Sequence, residues 1–181
     1  AWAAVDLARR SNARIDGDAV VTAAAVDLIA RTLGSVTLRA TGSAAGTGVL
    51  ATAAAPVGDG TAAQLATAAG RQQPGAPSLA AARLASDTSA GLAGSARVTT
   101  GGGRLGVLAD SRLDSDVLAD GPGAIAALVI DDRTTASIGA GSAVPGSGGL
   151  SVVATTMDRA SLDATGGVGL LVSTVVTTAA L

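Results

Sequence analysis

The chain has no Cys, His, Phe or Tyr, and its charges are carried by 12 Arg and 14 Asp, without a single Lys or Glu in 181 residues. Each absence removes a class of function. Without His, Cys, Tyr, Glu or Lys the usual general bases, activated nucleophiles and soft metal ligands are missing. An enzyme would have to work with Asp, Ser, Thr and Arg, so the composition reads as a non-catalytic protein without an organic cofactor. Trp2 is the one aromatic residue. Propeller blades and lipid-facing barrels depend on aromatic packing or aromatic girdles, so neither fits. A formal net charge of −2 with no basic cluster and no stacking platform excludes nucleic acid as a partner. Long apolar runs are also missing. The strongest, Ala124 to Ile130, lies between Pro122-Gly123 and Asp131-Asp132 and is too short to span a membrane. The absence of cysteine fits a surface or extracellular protein held together by hydrogen-bonded stacking rather than disulfides.

What is present is a repeat. Residues Ala13 to Gly42 return as Ala136 to Gly166, 123 to 124 positions later. Val5, Leu7 and Arg10 fall on Leu128, Ile130 and Arg133; Ala13-Arg14-Ile15 falls on Ala136-Ser137-Ile138; Leu28, Ala30, Thr32, Leu38 and Ala40 fall on Val152, Ala154, Thr156, Leu162 and Ala164. A third copy, Leu105 to Gly121, matches Leu150 to Gly166. The tripeptide Ala-x-(apolar) serves as an anchor and recurs as Ala13-Arg14-Ile15, Ala63-Gln64-Leu65, Ala96-Arg97-Val98, Ala136-Ser137-Ile138 and Ala179-Ala180-Leu181. Its spacings run from 33 to 50 residues, as expected of a stacked architecture whose insertions are absorbed in loops. With 48% hydrophobic residues and a mean hydropathy of +0.49, residues 1–181 read as one folded segment.

The stacked unit is built of strands. Alanine, the commonest residue, favours helix, but the 25 Gly and the abundance of Val and Thr favour strands and turns. Ser35 to Thr41 and Asp158 to Ala164 alternate polar and apolar residues as half-buried strands do. A helix over Ala19 to Leu33 is rejected because its equivalent, Ala143 to Met157, carries Pro145, Gly146, Gly148 and Gly149. Short strands joined by turns at Asp16-Gly17-Asp18, Gly101-Gly102-Gly103, Asp120 to Gly123 and Gly139 to Gly141 are expected. A narrow interior of Ala, Val, Leu and Ile selects an all-β, parallel β-solenoid with uneven repeats of about 33–50 residues. Two coils per repeat predict roughly 20 to 25 residues per coil and about eight coils, a rod on the order of 40 Å long. Leu38, Leu162, Val107, Val152, Ile15 and Ile138 are predicted to point inward. Residues 71–77, Arg71-Gln72-Gln73-Pro74-Gly75-Ala76-Pro77, form an inserted loop expected to protrude.

Candidate sites are few. Asp16, Asp18, Asp59, Asp131 and Asp132 could supply oxygen ligands to Ca²⁺, although turn-forming Asp that bonds its own backbone is the preferred reading. Asp114 and Asp116, on one side of a strand, could present two carboxylates together, but solvated carboxylates on an outer face are preferred. The pairs Thr99-Thr100, Thr134-Thr135, Thr155-Thr156 and Thr177-Thr178 could form an outward ladder for ice or glycan. Their irregular spacing favours cross-strand stacking without a ligand.

The segment Ala136-Ser137-Ile138-Gly139-Ala140-Gly141-Ser142-Ala143-Val144, with the Gly/Ala-rich return Thr41 to Leu50, resembles the β-strand repeats of large bacterial surface adhesins. These are the autotransporter-type haemagglutinins and leukotoxin-like proteins. Ala63-Gln64-Leu65 departs from the pattern by lacking the Gly turn after the anchor. The resemblance implies a right-handed β-helical stalk, filament or layer outside the cell or on a bacterial surface, which self-associates or continues into further repeats of the same polypeptide. An alternative is an adhesin that binds glycan or a host surface through loops or a Thr-bearing face. The chain opens in mid-repeat without Met and closes on an anchor tripeptide, so a section of a longer array is expected.

Overall fold

The computed structural model describes residues 2–41 and 78–181. They form nine strands: β1 (Trp2–Ile15), β2 (Val20–Thr22), β3 (Val26–Thr41), β4 (Leu79–Leu92), β5 (Arg97–Thr99), β6 (Arg104–Asp120), β7 (Ile125–Ile138), β8 (Gly149–Thr165) and β9 (Val168–Ala180). All pairing is parallel, in a four-stranded sheet β1-β4-β7-β9, a three-stranded sheet β3-β6-β8 and a short sheet β2-β5. A bridge from Arg97 to Ala143 extends the short sheet by one more line. Strands three apart in sequence, or two apart for β6–β8 and β7–β9, are thus neighbours in space, an arrangement compatible with a β-solenoid.

Register is kept residue for residue. Ala13, Ala90, Ala136 and Ala179 form one column, and Val5, Ala82, Leu128 and Leu171 another. On the opposite sheet Leu28, Val107 and Val152 align, as do Leu38, Val117 and Leu162. The repeat alignment from sequence is therefore the physical register. One of its anchors shifts. Ala96-Arg97-Val98 belongs to the short sheet, where it pairs with the strand at Val20–Thr22. The strand above Ala13-Arg14-Ile15 carries Ala90-Gly91-Leu92 instead. Ala96 and Val98 mimic the anchor because both are fully buried on the same inward phase. Ala63-Gln64-Leu65 and the loop 71–77 lie outside the described residues.

The coil is also larger than expected. Leu79 pairs with Ile125 and Ile125 with Val168, advances of 46 and 43 residues, so each repeat is one coil rather than two. The long strands run 13 to 17 residues, not the short lengths anticipated. Four lines of strand at about 4.8 Å span roughly 14 Å, not 40 Å. The strands alternate throughout: in β6 the inward residues are Leu105, Val107, Ala109, Ser111, Leu113, Ser115, Val117 and Ala119, all buried. Their apolar members divide into two cores. One gathers Leu84, Leu113, Val117, Leu128 and Ile130; the other gathers Leu92, Val98, Leu105, Val107 and Ala136.

The predicted inward set is confirmed. Val107 is buried, and Leu38, Leu162, Ile15, Ile138 and Val152 are half-buried against these cores. They are only half-buried because they lie on the strands that bound each sheet or on the adjoining turn. The turns following the anchors stack as well. Gly17, Gly94 and Gly141 all have positive φ, and a Cβ on Gly141 would lie 2.8 Å from the Gly94 carbonyl oxygen. Only glycine suits both the conformation and the approach.

Leu105, sandwiched between Val26 and Leu150, should lose about 2–5 kcal/mol of stability on truncation to Ala. Leu162, on an edge strand, should lose less on the same change but several kcal/mol as Leu162→Asp. Chemical denaturation of the three variants checks this order.

Candidate functional site

Between the two apolar cores the inward positions turn polar. On the four-stranded sheet they are Arg9 and Ser11 of β1, Ser86 and Thr88 of β4, Asp132 and Thr134 of β7, and Thr177 of β9, stacked by register. The facing strands add Thr32 of β3, Ser111 of β6, and Thr156 and Asp158 of β8. Ser86, Thr88, Ser111, Asp132, Thr134 and Thr32 are all buried. A polar layer therefore crosses every coil at one level.

Hydrogen bonds organise it. Thr88 Oγ1 donates to Thr32 Oγ1 at 2.6 Å, Thr32 to Ser11 Oγ at 2.9 Å, and Ser11 to the Arg31 carbonyl at 2.8 Å. In the other direction Ser111 Oγ donates to Asp132 Oδ2 at 2.6 Å. Ser86 lies 3.2 Å from Ser111 and 3.4 Å from Thr88. Ser111 has spent its proton on Asp132 and Thr88 its own on Thr32, so Ser86 is the donor left, and its one proton serves the shorter contact, to Ser111. The hydroxyl protons consequently diverge from the β4/β6 coil towards both ends. At the first coil Arg9 reaches across the interior over Gly34 and donates to the Leu33 carbonyl. Gly34 leaves room for the crossing: a Cβ there would fall 3.4 Å from the guanidinium and 3.1 Å from Leu113, a tight fit.

At the third coil Asp132 and Asp158 face each other across the interior. Asp132 is fully buried, and its Oδ1 has no partner; neither does either oxygen of Asp158 nor Thr134 Oγ1. Burial first, then the negative charge of Asp132, raise the Asp158 pKa to about 6. The Leu113 backbone N–H acts in the opposite sense without fully bonding either oxygen.

No family model, curated protein or solved structure matches this chain.

The acidic candidates from sequence do not converge. Asp16 caps its turn by accepting from the Gly17 N–H at 2.8 Å and pairs with Arg14 at 3.2 Å, while Asp18 is exposed. Asp59 lies outside the described residues. Asp131 and Asp132 occupy opposite faces of β7, one exposed and one buried, and cannot chelate one ion together. Asp114 and Asp116 are exposed on the outer face of β6. Among the described residues no group of three acidic side chains comes together. The Thr pairs split similarly. Thr134 and Thr177 stack inward, where Thr177 donates to Thr156 at 2.8 Å, while Thr135 and Thr178 stack outward above Asn12 and Ser89. Cross-strand stacking is observed, and a continuous outward Thr ladder is not.

Asp158 is absent from the sequence candidates although a signal for it exists. It lies on the same phase as Val152, Ala154, Leu162 and Ala164, which alternation alone assigns to the interior. Outside, ionic pairs link successive coils: Asp6–Arg83 at 3.6 Å, Arg10–Asp87 at 3.4 Å and Arg31–Asp110 at 3.8 Å. Arg10, Asp87, Asp131 and Arg133 line a shallow, open dent of about 570 Å³ on the outer face of the four-stranded sheet.

Because the folded-state pKa of Asp158 lies above its ordinary value of 3.8, the folded chain binds the extra proton between those two pH values. Stability should therefore fall as pH rises from about 4 through about 6 and then level off. In chelator-treated buffer, Asp158→Asn should flatten this part of the stability profile measured by denaturation. A wild-type profile that rises through this window, with the same slope in the variant, would contradict the assignment.

Proposed function

We propose that the chain is a non-catalytic segment of a right-handed parallel β-solenoid that serves as a stalk, filament or layer outside the cell or at a bacterial surface. The carrying observation is the uncovered apolar edge beside β8 and β9, where Leu150, Val153, Met157, Val168, Leu171, Val172, Val175 and Val176 are 39 to 58% exposed. A long, flat edge of unpaired backbone groups and apolar side chains is a template for a further parallel strand. At the opposite edges Ile29 and Leu33 are exposed too. Right-handedness follows from the rule for parallel crossovers.

Supporting features concern rigidity. Pairing is unbroken along strands of 13 to 17 residues, and the ionic pairs that bind coil to coil on the outside favour one register over slipped ones. Each such exposed pair adds only about 0–1 kcal/mol, so their role lies in alignment. Further coils of the same polypeptide, or another subunit, are the expected partners of the open edges.

The isolated chain should associate in a concentration-dependent manner in sedimentation velocity, and elongated particles should appear by electron microscopy. Charging the outward positions of the edge strand with Val172→Asp and Val176→Asp together should disperse the assemblies while leaving the β circular dichroism signal intact. A stable monomer at micromolar concentration, with the apolar edge unaltered, would refute self-association through this edge.

A further inference from the structure

The four buried side-chain oxygen atoms without a partner among the described residues all lie at the third coil: Asp132 Oδ1, both oxygens of Asp158, and Thr134 Oγ1. Asp132 and Thr134 are both completely buried, and as alternate residues of β7 they project to the same side, towards the strand that carries Asp158. None of the four is met by a described side chain or backbone group. No described arginine pairs with either carboxylate: Arg9 is committed to Leu33 at the first coil, and Arg112 pairs with Asp110 on the outer face.

We infer that Asp132, Asp158 and Thr134 form an interior site for one hard divalent cation of the Ca²⁺ class. The donor set is all oxygen. Its two carboxylates match the charge of the ion, and Ca²⁺ accepts hydroxyl and water oxygens to reach six to eight ligands. Entry requires no opening of the ladder. Both Asp158 oxygens are buried, but the residue is half-buried on β8, beyond which no further strand pairs among the described residues, so rotation of this one side chain opens the site to the ion and its remaining waters. Ser111, donating to Asp132 Oδ2 at 2.6 Å, holds the carboxylate so that Oδ1 stays free. The site differs from the turn aspartates Asp16 and Asp18, and it does not depend on whether the chain assembles.

The test uses the 181-residue chain, stripped of metal by a chelator and titrated with CaCl₂ near neutral pH by calorimetry, with thermal unfolding in parallel. One Ca²⁺ per chain and a rise in Tm are expected. Asp158→Asn, which keeps the side-chain shape and sits at the half-buried edge, should weaken binding by about ten-fold or more and abolish the Tm shift. Asp16→Asn combined with Asp18→Asn should change neither. If Asp132→Asn fails to fold, Asp158→Asn still decides the matter. Absence of binding at millimolar CaCl₂, or binding that survives Asp158→Asn and disappears in the turn double variant, would overturn the assignment.

Discussion

Parallel pairing without a bulge makes each residue of one coil sit on one residue of the next, and every other property of this molecule follows from that constraint. A column can hold only side chains that tolerate their own kind above and below. Alanine stacks on alanine at Ala30, Ala109 and Ala154, and again at Ala40, Ala119 and Ala164. Branched aliphatics stack on one another in the two flanking cores. Charged residues on the outside alternate in sign from coil to coil, as at Arg10, Asp87 and Arg133, because like charges at one strand spacing would repel.

The same constraint makes the polar layer an all-or-none structure. One hydroxyl in an apolar column would be left without a partner, at a cost of about 1–3 kcal/mol. A hydroxyl that has hydroxyls opposite it finds its partners across the interior. Thr32, Thr88, Ser86 and Ser111 do so, whereas the third coil, where carboxylates replace hydroxyls, leaves acceptors that no neighbour can fill. On the outer surface of the four-stranded sheet, at the same level, lies the open dent between Ala8 to Arg10 and Thr174 to Val176.

Much of this was legible in the residues. Aligning Leu105 to Gly121 with Leu150 to Gly166 reproduces the pairing of β6 with β8, and matching Ala13 to Ala136 places β1 and β7 in one sheet, because a repeat in register leaves its period in the sequence. Coil size was obscured by the polar layer itself. Ser111 or Thr134 in the middle of a strand looks like an outward residue or an approaching turn, so a 17-residue strand is easily read as two short ones. Asp132 invites the same misreading through its neighbour Asp131, which resembles half of a chelating pair until the alternation is followed from Leu128 and Ile130. The pairing of Asp132 with Asp158 depends on which coil faces which across the interior, and no local pattern carries that information.

One corner of the coil reveals how such a chain can change its surface. Between the three-stranded and four-stranded sheets the connection takes two residues after β8, four after β6 and thirty-seven after β3, yet Trp2 still pairs with Leu79 as Leu79 pairs with Ile125. Connections of these three lengths thus return the chain to one register, so at this vertex length varies while the pairing of the strands that follow does not.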